Sequence, residues 1–239
     1  MSRLPRWLPS IISRIGWGCS TSGWLSDLSF DERALPTGKE ICRDLWPFIA
    51  ALPGNVAAVR DSLPAESGAA RDLLSELADE RRHYQNLFLA QCRLAGLSAG
   101  DLDARLANPT EATAALTAAL SRHAQSEVYT DGIHAIVVAE LAATAFCRAA
   151  LPHYERYFTV HAAEHDAETI ESGMAWLRYH AEQQTGHALL IKRMYADIEP
   201  PAGKSAPLPA EEILHCVFRL WRCPAEPGCA DRVQVAQVR

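Results

Sequence analysis

The stretch Trp176-Leu-Arg-Tyr-His-Ala-Glu-Gln-Gln-Thr-Gly-His-Ala-Leu-Leu190 decides the predicted fold, because its polar residues recur at helical spacing. At 3.6 residues per turn, His180, Gln184 and His187 fall on one stripe of a helix. Leu177 continues that stripe with an apolar side chain, which indicates that the stripe points inward. Two histidines on an apolar face are costly to bury unless each ring nitrogen has a partner. The stripe therefore predicts either two core histidines whose ring nitrogens are hydrogen-bonded or a metal site.

The composition of the 239-residue chain favours a helical protein with one sizeable core. Hydrophobic residues make up 49% of the chain, only 8% is aromatic, and glycine is modest at 13 residues. Abundant alanine and leucine favour helix over sheet. The formal net charge is -6 and the basic residues are scattered, so the sequence shows no basic patch that would bind nucleic acid or an anionic membrane. We therefore predict neither of these as a partner.

The cysteines and the first residues of the chain predict a cytoplasmic protein. Pro5, Pro9 and Arg14 interrupt the apolar residues near the start, so no secretory signal is expected. No uncharged apolar run approaches the roughly 20 residues that a membrane-spanning helix needs. The seven cysteines are odd in number and irregularly spaced, which indicates reduced thiols.

Apolar periodicity along the remaining chain predicts an all-α fold with a single core. Residues 1–36 are expected to be irregular and to pack on the core through tryptophans, residues 37–200 to form that core, and residues 201–239 to hold a linker, a last helix and an irregular tail. The predicted helices run from Thr37 or Gly38 to Ala51, with Asn55–Leu63 as a candidate short helix after it, from Pro64 to Ala95, from Thr110 to Ser126, from Asp131 to Leu151 with a restart or kink at Pro152, from Asp166 to Ile198, and from Pro209 to Trp221.

Two further helices carry metal-ligand types on faces that are predicted to be buried. Glu76, Glu80 and His83 are spaced i, i+4 and i+7 on the second helix and share one face. Glu140 is a lone carboxylate in the run 133–147, which has no other acidic or basic side chain except a histidine. A carboxylate in such a helix must be paired, protonated or metal-bound. Carboxylates mixed with imidazoles, without thiolate, are typical of iron or manganese sites in helical bundles.

In these residues the chain resembles the haem-oxygenase-like di-iron oxidases and oxygenases, relatives of the TenA and PqqC folds that bind two irons rather than haem. The family's pattern places a Glu and a His about two turns apart on one core helix, a Glu on the next, and a His-x-x-x-Asp-x-x-His motif on a later one. The matching positions here are Glu76 and His83, then Glu140, then His180, Gln184 and His187. The match covers roughly residues 37–200.

One position departs from the family's pattern. The aspartate of the third element is Gln184 here, a neutral amide with one oxygen able to ligate. The resemblance then implies that one iron site is weaker, or that Glu80 takes up the missing anionic role from the facing helix.

The resemblance implies a haem-oxygenase-like bundle of about six to seven helices and a non-haem di-iron, O2-dependent oxidase or oxygenase. It implies two Fe(II) per chain, O2 as co-substrate, and Glu140 as the carboxylate that bridges the irons. The implied substrate is a small metabolite in specialised biosynthesis, with desaturation, C–C cleavage, N-oxygenation or nitrile formation as outcomes. We favour an amino acid or a derivative, because Arg178, Tyr84 and Tyr179 near the stripe could hold a carboxylate. The sequence does not identify the electron donor, and a homodimer is left open.

Three alternatives stay open. A metal-free TenA-like hydrolase or PqqC-like cofactorless oxidase on the same fold needs no iron, and the hydrolase needs an essential cysteine, for which Cys147 is the candidate. A ferritin-like di-metal protein needs two Glu-x-x-His motifs; Glu80-Arg-Arg-His83 is one, and Glu212-Ile-Leu-His215 resembles a second but lies off the apolar face of its helix. In a non-catalytic helical binding protein, the His and Glu residues would form a buried polar network.

Overall fold

The computed structural model describes residues 4–22, 35–161, 165–182, 191–195, 198 and 205–223, which form an all-α bundle without strands in these ranges. The helices are α1 (Leu8–Thr21), α2 (Leu35–Ser62), α3 (Gly68–Leu94), α4 (Ala99–Ala107), α5 (Glu111–Ala124), α6 (Tyr129–Val160), α7 (Ala167–Glu182) and α8 (Leu208–Leu220). Residues 191–194 are helical as well. The predicted fold class is confirmed, with more helices than the six to seven expected.

Helix α6 is the centre of the bundle, because α1, α2, α5, α7 and α8 all pack against it. Every residue from 132 to 140 is buried. By length and composition alone α6 could cross a membrane, but 61% of its most apolar window is buried inside the molecule. A buried core helix passes the same test of length and composition, and α6 lies at the centre of this bundle.

Helix α2 continues through Pro53, so the helix end predicted just before this proline is wrong. A proline inside a helix lacks the N–H that would bond the carbonyl four residues earlier, which here belongs to Ile49. The side-chain amide of Gln85 on α3 supplies the missing donor, since its Nε2 lies 3.2 Å from the carbonyl oxygens of both Ile49 and Ala50. Helix α6 likewise continues through Pro152, where a restart or kink was predicted.

We expect Gln85→Ala to lower the free energy of unfolding by about 1–2 kcal/mol, because it leaves the Ile49 carbonyl without its donor. In a Pro53→Ala background the backbone N–H of residue 53 can bond that carbonyl, so the same replacement should have a smaller effect. Urea unfolding of the four proteins measures the coupling between the two positions. Equal losses in the two backgrounds would contradict this role of Gln85.

Helix α1 lies within residues 1–36, so the prediction of an irregular segment is wrong for residues 8–21. Pro9 lies in the first turn, where a missing N–H breaks no intrahelical bond. The buried side chains of α1 recur at helical spacing: Leu8, Ile11, Ile15 and Cys19. Trp7, just before the helix, is completely buried and belongs to the hydrophobic core.

The first and last of these helices also contact each other. A guanidinium nitrogen of Arg14 on α1 lies 2.9 and 2.7 Å from the two carboxylate oxygens of Glu211 on α8. The two residues are 197 positions apart in the sequence. Helices α1 and α8 both pack against α6, and this ion pair joins them to each other.

Capping residues explain four of the other helix ends. Gly96 follows α3 with φ of 76°, in the left-handed region that favours glycine just beyond the end of a helix. The side chains of Thr110 and Asp166 accept from backbone N–H groups three residues ahead, at 3.3 and 2.8 Å. Helix α4 was not predicted, although Ser98 and Asp101 form a capping box at its start. The Ser-x-x-Asp spacing in the sequence indicates the start of this helix.

Candidate functional site

A small cavity lies between α2, α3, α6 and α7 and has a volume of about 30 Å³. This volume has room for about two water molecules. Its polar members are Tyr84, Glu140 and His180, and the other walls are alkyl and aromatic. The lining residues are Phe48, Ile49, Leu52, Tyr84, Ala139, Glu140, Ala143, Trp176 and His180. A mostly apolar cavity with a few converging polar groups is the usual form of a small-molecule site.

Glu140 brings a carboxylate into this cavity from the middle of α6. Its side chain is only 2% exposed, and the lining residues beside it on the same helix are the small Ala139 and Ala143. A carboxylate surrounded by alkyl groups needs a cation, hydrogen bonds or a proton to compensate for the lost hydration. Glu140 is therefore placed where it can hold a cation or move a proton.

His180 lines the same cavity from α7 and is 3% exposed. Its Nδ1 lies 3.0 Å from the carbonyl oxygen of Trp176, one turn earlier. Because a carbonyl only accepts, we assign the hydrogen of the neutral ring to Nδ1, which leaves the lone pair on Nε2. A histidine whose second nitrogen donates to a carbonyl is the common arrangement of a metal ligand.

Aromatic rings surround the imidazole of His180. The ring centroids of Trp176, Tyr179 and Tyr84 lie 4.7, 5.4 and 5.5 Å from it. The rings of Tyr84 and Tyr179 lie 4.4 Å apart, so α3 and α7 are joined beside the histidine. These contacts hold the imidazole in one orientation toward the cavity.

The three candidate ligands on α3 are exposed, so the prediction that Glu76, Glu80 and His83 lie on a buried face is wrong. The Glu76 carboxylate accepts hydrogen bonds from the Arg193 guanidinium at 3.0 and 3.2 Å, which lowers the pKa of Glu76. The neighbouring stripe of α3, which contains Tyr84, faces the core instead. The assignment of these three side chains as metal ligands stays a prediction.

Gln184 and His187 belong to residues 183–190, which lie outside the described part of the chain. The beginning of the quoted stretch, as far as Glu182, is helical as predicted. Within the described ranges, no group of three or more His, Cys, Asp or Glu side chains is arranged to hold a metal. Glu140 and His180 are the two predicted ligands that the structure brings to one cavity.

Arg178 does not line the cavity. Its guanidinium bonds the carboxylates of Glu155, at 3.3 Å, and of Glu171. With both partners acidic, the pKa of Arg178 is raised by these hydrogen bonds. The prediction that Arg178 holds a substrate carboxylate therefore finds no support, whereas Tyr84 does line the cavity.

The residues of the alternative interpretations lie elsewhere. Cys147 is fully buried and does not line the cavity, and burial raises the pKa of its thiol well above the usual value, which disfavours the nucleophilic thiolate. Glu212 is half-buried rather than at the surface, because it bonds Arg122 and lies 2.8 Å from Nε2 of His123 between α5 and α8. Its motif does not reach the cavity of Glu140 and His180.

Sequence reasoning missed the wall that α2 contributes. Phe48, Ile49 and Leu52 line the cavity, but the predicted helix was assigned no part in the site. Their i, i+1, i+4 spacing places them on one helical face. That spacing was a signal for a buried wall, although it could not show which helix faces it.

No protein-family model matches this chain, and no curated protein matches it. Among solved structures, it is similar to the crystal structure of a TenA homologue from Pseudomonas syringae pv. tomato. The TM-score is 0.66 at 15% sequence identity, and the match covers 92% of this chain and 89% of that chain. At this identity the likeness is one of fold. The chain therefore has the all-α helical fold of a TenA homologue.

Proposed function

We propose that this protein is a non-haem iron, O2-dependent oxidase or oxygenase that acts on a small metabolite at the cavity of Glu140 and His180. The observation that carries the proposal is a buried carboxylate and an imidazole, from different helices, lining one cavity. The order and spacing of the candidate ligands in the sequence support it. Iron bound there would supply the redox chemistry with O2 that amino-acid side chains lack.

The two side chains fit Fe(II) as oxygen and nitrogen ligands. Glu140 would balance positive charge in an apolar surrounding, and the Trp176 carbonyl would keep Nε2 of His180 as the ligating atom. Gln184 and His187 follow on the same stripe in the sequence. A second iron would need the α3 residues, which are exposed as the structure describes them. We therefore expect one iron to bind more tightly than the other.

The apolar walls define what else the cavity can hold. Phe48, Leu52 and Trp176 exclude bulk water from the polar groups, which strengthens every electrostatic interaction among them. Because Arg178 is engaged by two carboxylates, the recognition of an amino-acid carboxylate is not assigned to it. A small metabolite, with an amino acid or a derivative as one class, remains the proposed substrate.

Anaerobic titration of the metal-free protein with Fe(II), followed by rapid mixing with O2 and optical detection, tests this function. Glu140→Gln and His180→Gln should each weaken iron binding by roughly 100-fold or more, since even residues that only orient metal ligands contribute 10–100-fold. The matched control is Glu155→Gln, which removes an exposed carboxylate from the same helix and should leave iron binding unchanged.

The stoichiometry separates the interpretations. Two bound irons with a transient visible band support the di-iron form. One tightly bound iron and a second, weakly bound iron indicate that the Gln184 amide weakens one of the two iron sites. If the folded wild-type protein binds no iron, the proposal is wrong, and a metal-free TenA-like or PqqC-like enzyme replaces it. If Glu140→Gln changes only the free energy of unfolding, the carboxylate belongs to a structural polar network.

A further inference from the structure

We infer that a buried water molecule is bound where Trp7, His134 and Tyr195 meet, and that it hydrogen-bonds both His134 and Tyr195. This water site is separate from the proposed iron site, because none of the three residues lines the cavity of Glu140 and His180. The water joins three segments that are far apart in the sequence: the residue before α1, the first half of α6, and the residue after the helical residues 191–194.

The three side chains form a continuous aromatic contact inside the bundle. His134 lies in the middle, with its ring centroid 5.5 Å from that of Trp7, edge-on, and 6.0 Å from that of Tyr195. Trp7 is 0% exposed, His134 2% and Tyr195 1%. Bulk water therefore does not reach the polar atoms of these rings.

Four polar atoms at this contact have no hydrogen-bond partner among the residues that the structure describes. They are Nε1 of Trp7, both ring nitrogens of His134 and the hydroxyl oxygen of Tyr195. Buried polar atoms in folded proteins are nearly always paired, either with another protein group or with an ordered water. Four such atoms on side chains that touch one another therefore point to one shared ligand.

The chemistry of the three rings selects the kind of ligand. Burial lowers the pKa of His134 to about 4, so near neutral pH its ring is uncharged and has one donor and one acceptor nitrogen. The Trp7 indole only donates, and the Tyr195 hydroxyl both donates and accepts. A metal cation would meet mainly N–H and O–H donors, and an anion would meet no positive charge on these rings. A water molecule can serve both kinds of group.

The geometry of His134 and Tyr195 also suits a bridging water. Their rings are within 25° of parallel, with centroids 6.0 Å apart. Atoms of rings in direct face-to-face contact lie about 3.5–4 Å apart, so these two rings are offset and their edges are not covered by each other's faces. A water that bonds two atoms at about 2.9 Å each bridges a separation of up to about 6 Å. The spacing of the two rings is therefore one that a single water can bridge.

Tyr195→Phe tests the bridge, because it removes one oxygen and keeps the ring. It should raise the equilibrium constant for unfolding about 5-fold, since the water loses a hydrogen-bond partner. In a His134→Phe background the larger ring takes the place of the water, and release of the water offsets the hydrogen bonds that are lost. There the same replacement should be neutral or stabilising, because it removes a hydroxyl without a partner. Urea unfolding of the four proteins measures this difference.

The matched control is Tyr129→Phe, which changes a half-buried tyrosine at the start of α6. Its effect on the equilibrium constant for unfolding should be the same in the wild-type and His134→Phe backgrounds.

Two measurements detect the water itself. Magnetic relaxation dispersion of water oxygen counts long-lived internal waters, and the wild type should hold one more than His134→Phe. His215→Phe, which changes a half-buried histidine on α8, should hold as many as the wild type. A crystal structure of the wild type, which needs no variant, should show a water about 2.6–3.2 Å from a ring nitrogen of His134 and from the hydroxyl oxygen of Tyr195.

The opposite results overturn the inference. If Tyr195→Phe is neutral or stabilising in the wild-type background, the hydroxyl has no water to lose. Equal water counts in folded wild type and folded His134→Phe, or a crystal structure without a water at this contact, exclude the site directly. None of these measurements involves Fe(II), so their failure would leave the proposed function standing, and a protein that binds no iron would leave the water site standing.

Discussion

Acidification from pH 7 to pH 4 should destabilise the wild-type fold by roughly 3 kcal/mol more than it destabilises a His134→Phe variant. His134 is 2% exposed on α6, between the rings of Trp7 and Tyr195 at 5.5 and 6.0 Å. Neither of its ring nitrogens has a hydrogen-bond partner within the described part of the chain. Burial lowers the pKa of His134 to about 4, although the nearby Asp131 charge opposes this shift.

The direction follows from the two pKa values of His134. In the folded state the pKa is about 4, below the reference value of 6.5 that applies to the unfolded chain. As the pH falls below about 6.5, the unfolded chain binds the proton and the folded protein does not. Stability is therefore complete above about pH 6.5, falls between about 6.5 and 4, and loses nothing more to this residue below that range.

Urea unfolding at pH 7.5, 5.5 and 4.5 measures this effect. Phenylalanine keeps an aromatic ring between Trp7 and Tyr195 and removes two buried polar atoms, so at pH 7.5 the variant should be about as stable as the wild type or more so. The matched control is His215→Phe, which changes a half-buried histidine on α8. Parallel losses of stability in the wild type and His134→Phe would show that other groups cause the acid sensitivity.

Gly173→Ala should destabilise the fold by about 1–3 kcal/mol, even though alanine is the better helix former. A Cβ at Gly173 on α7 would lie 2.5 Å from both Cβ and Cδ2 of Leu94 on α3. Because the Cβ of Leu94 moves only with its backbone, no rotamer change relieves the contact and the two helices must separate. Helix α7 also carries His180, so metal binding at the proposed site should weaken as well.

Two glycines elsewhere provide matched controls for Gly173→Ala. A Cβ at Gly16 in α1 or at Gly54 in α2 would meet nothing within 4 Å. Gly16→Ala and Gly54→Ala should therefore stabilise the protein by up to about 1 kcal/mol, the helix-propensity difference. Thermal and urea unfolding of the three variants compare these effects. If Gly173→Ala is as stable as the controls, the close approach of α3 and α7 is not a constraint on the fold.

The all-α class was predictable because apolar side chains recur at helical spacing, as in α6 and α8. The end of α2 was not, because Pro53 is a local stop signal that Gln85 overrides from another helix. That donor lies 36 positions from Ile49, so no local pattern could reveal it. Helix α1 was harder to predict for a different reason: Pro9, Gly16 and Gly18 disfavour a helix and obscure its apolar stripe.

A site residue was predictable where the apolar residues around it in its own helix already indicate that its side chain is buried. Glu140 and His180 each lie within apolar runs, and both are buried at one cavity. The predicted burial of the α3 face was wrong by about one residue of rotation, since His83 and Tyr84 are neighbours on adjacent stripes. Both stripes border apolar residues in the sequence, and only the packing of α7 against α3 decides which of them faces inward.

The ion pair between Arg14 and Glu211 joins the first and last helices described, so it can form only late in synthesis of the chain. Helix α1 leaves the ribosome first, but its partners α6 and α8 follow more than 100 and almost 200 residues later. At roughly 5–20 residues per second, the completion of α8 takes about 10–40 s after α1 appears. Until α6 has been made, Trp7 and the apolar stripe of α1 have no native surface to cover them, and until α8 follows, Arg14 has no Glu211 to bind. Nascent chains of this protein should therefore depend on chaperones that bind an exposed N-terminal amphipathic helix.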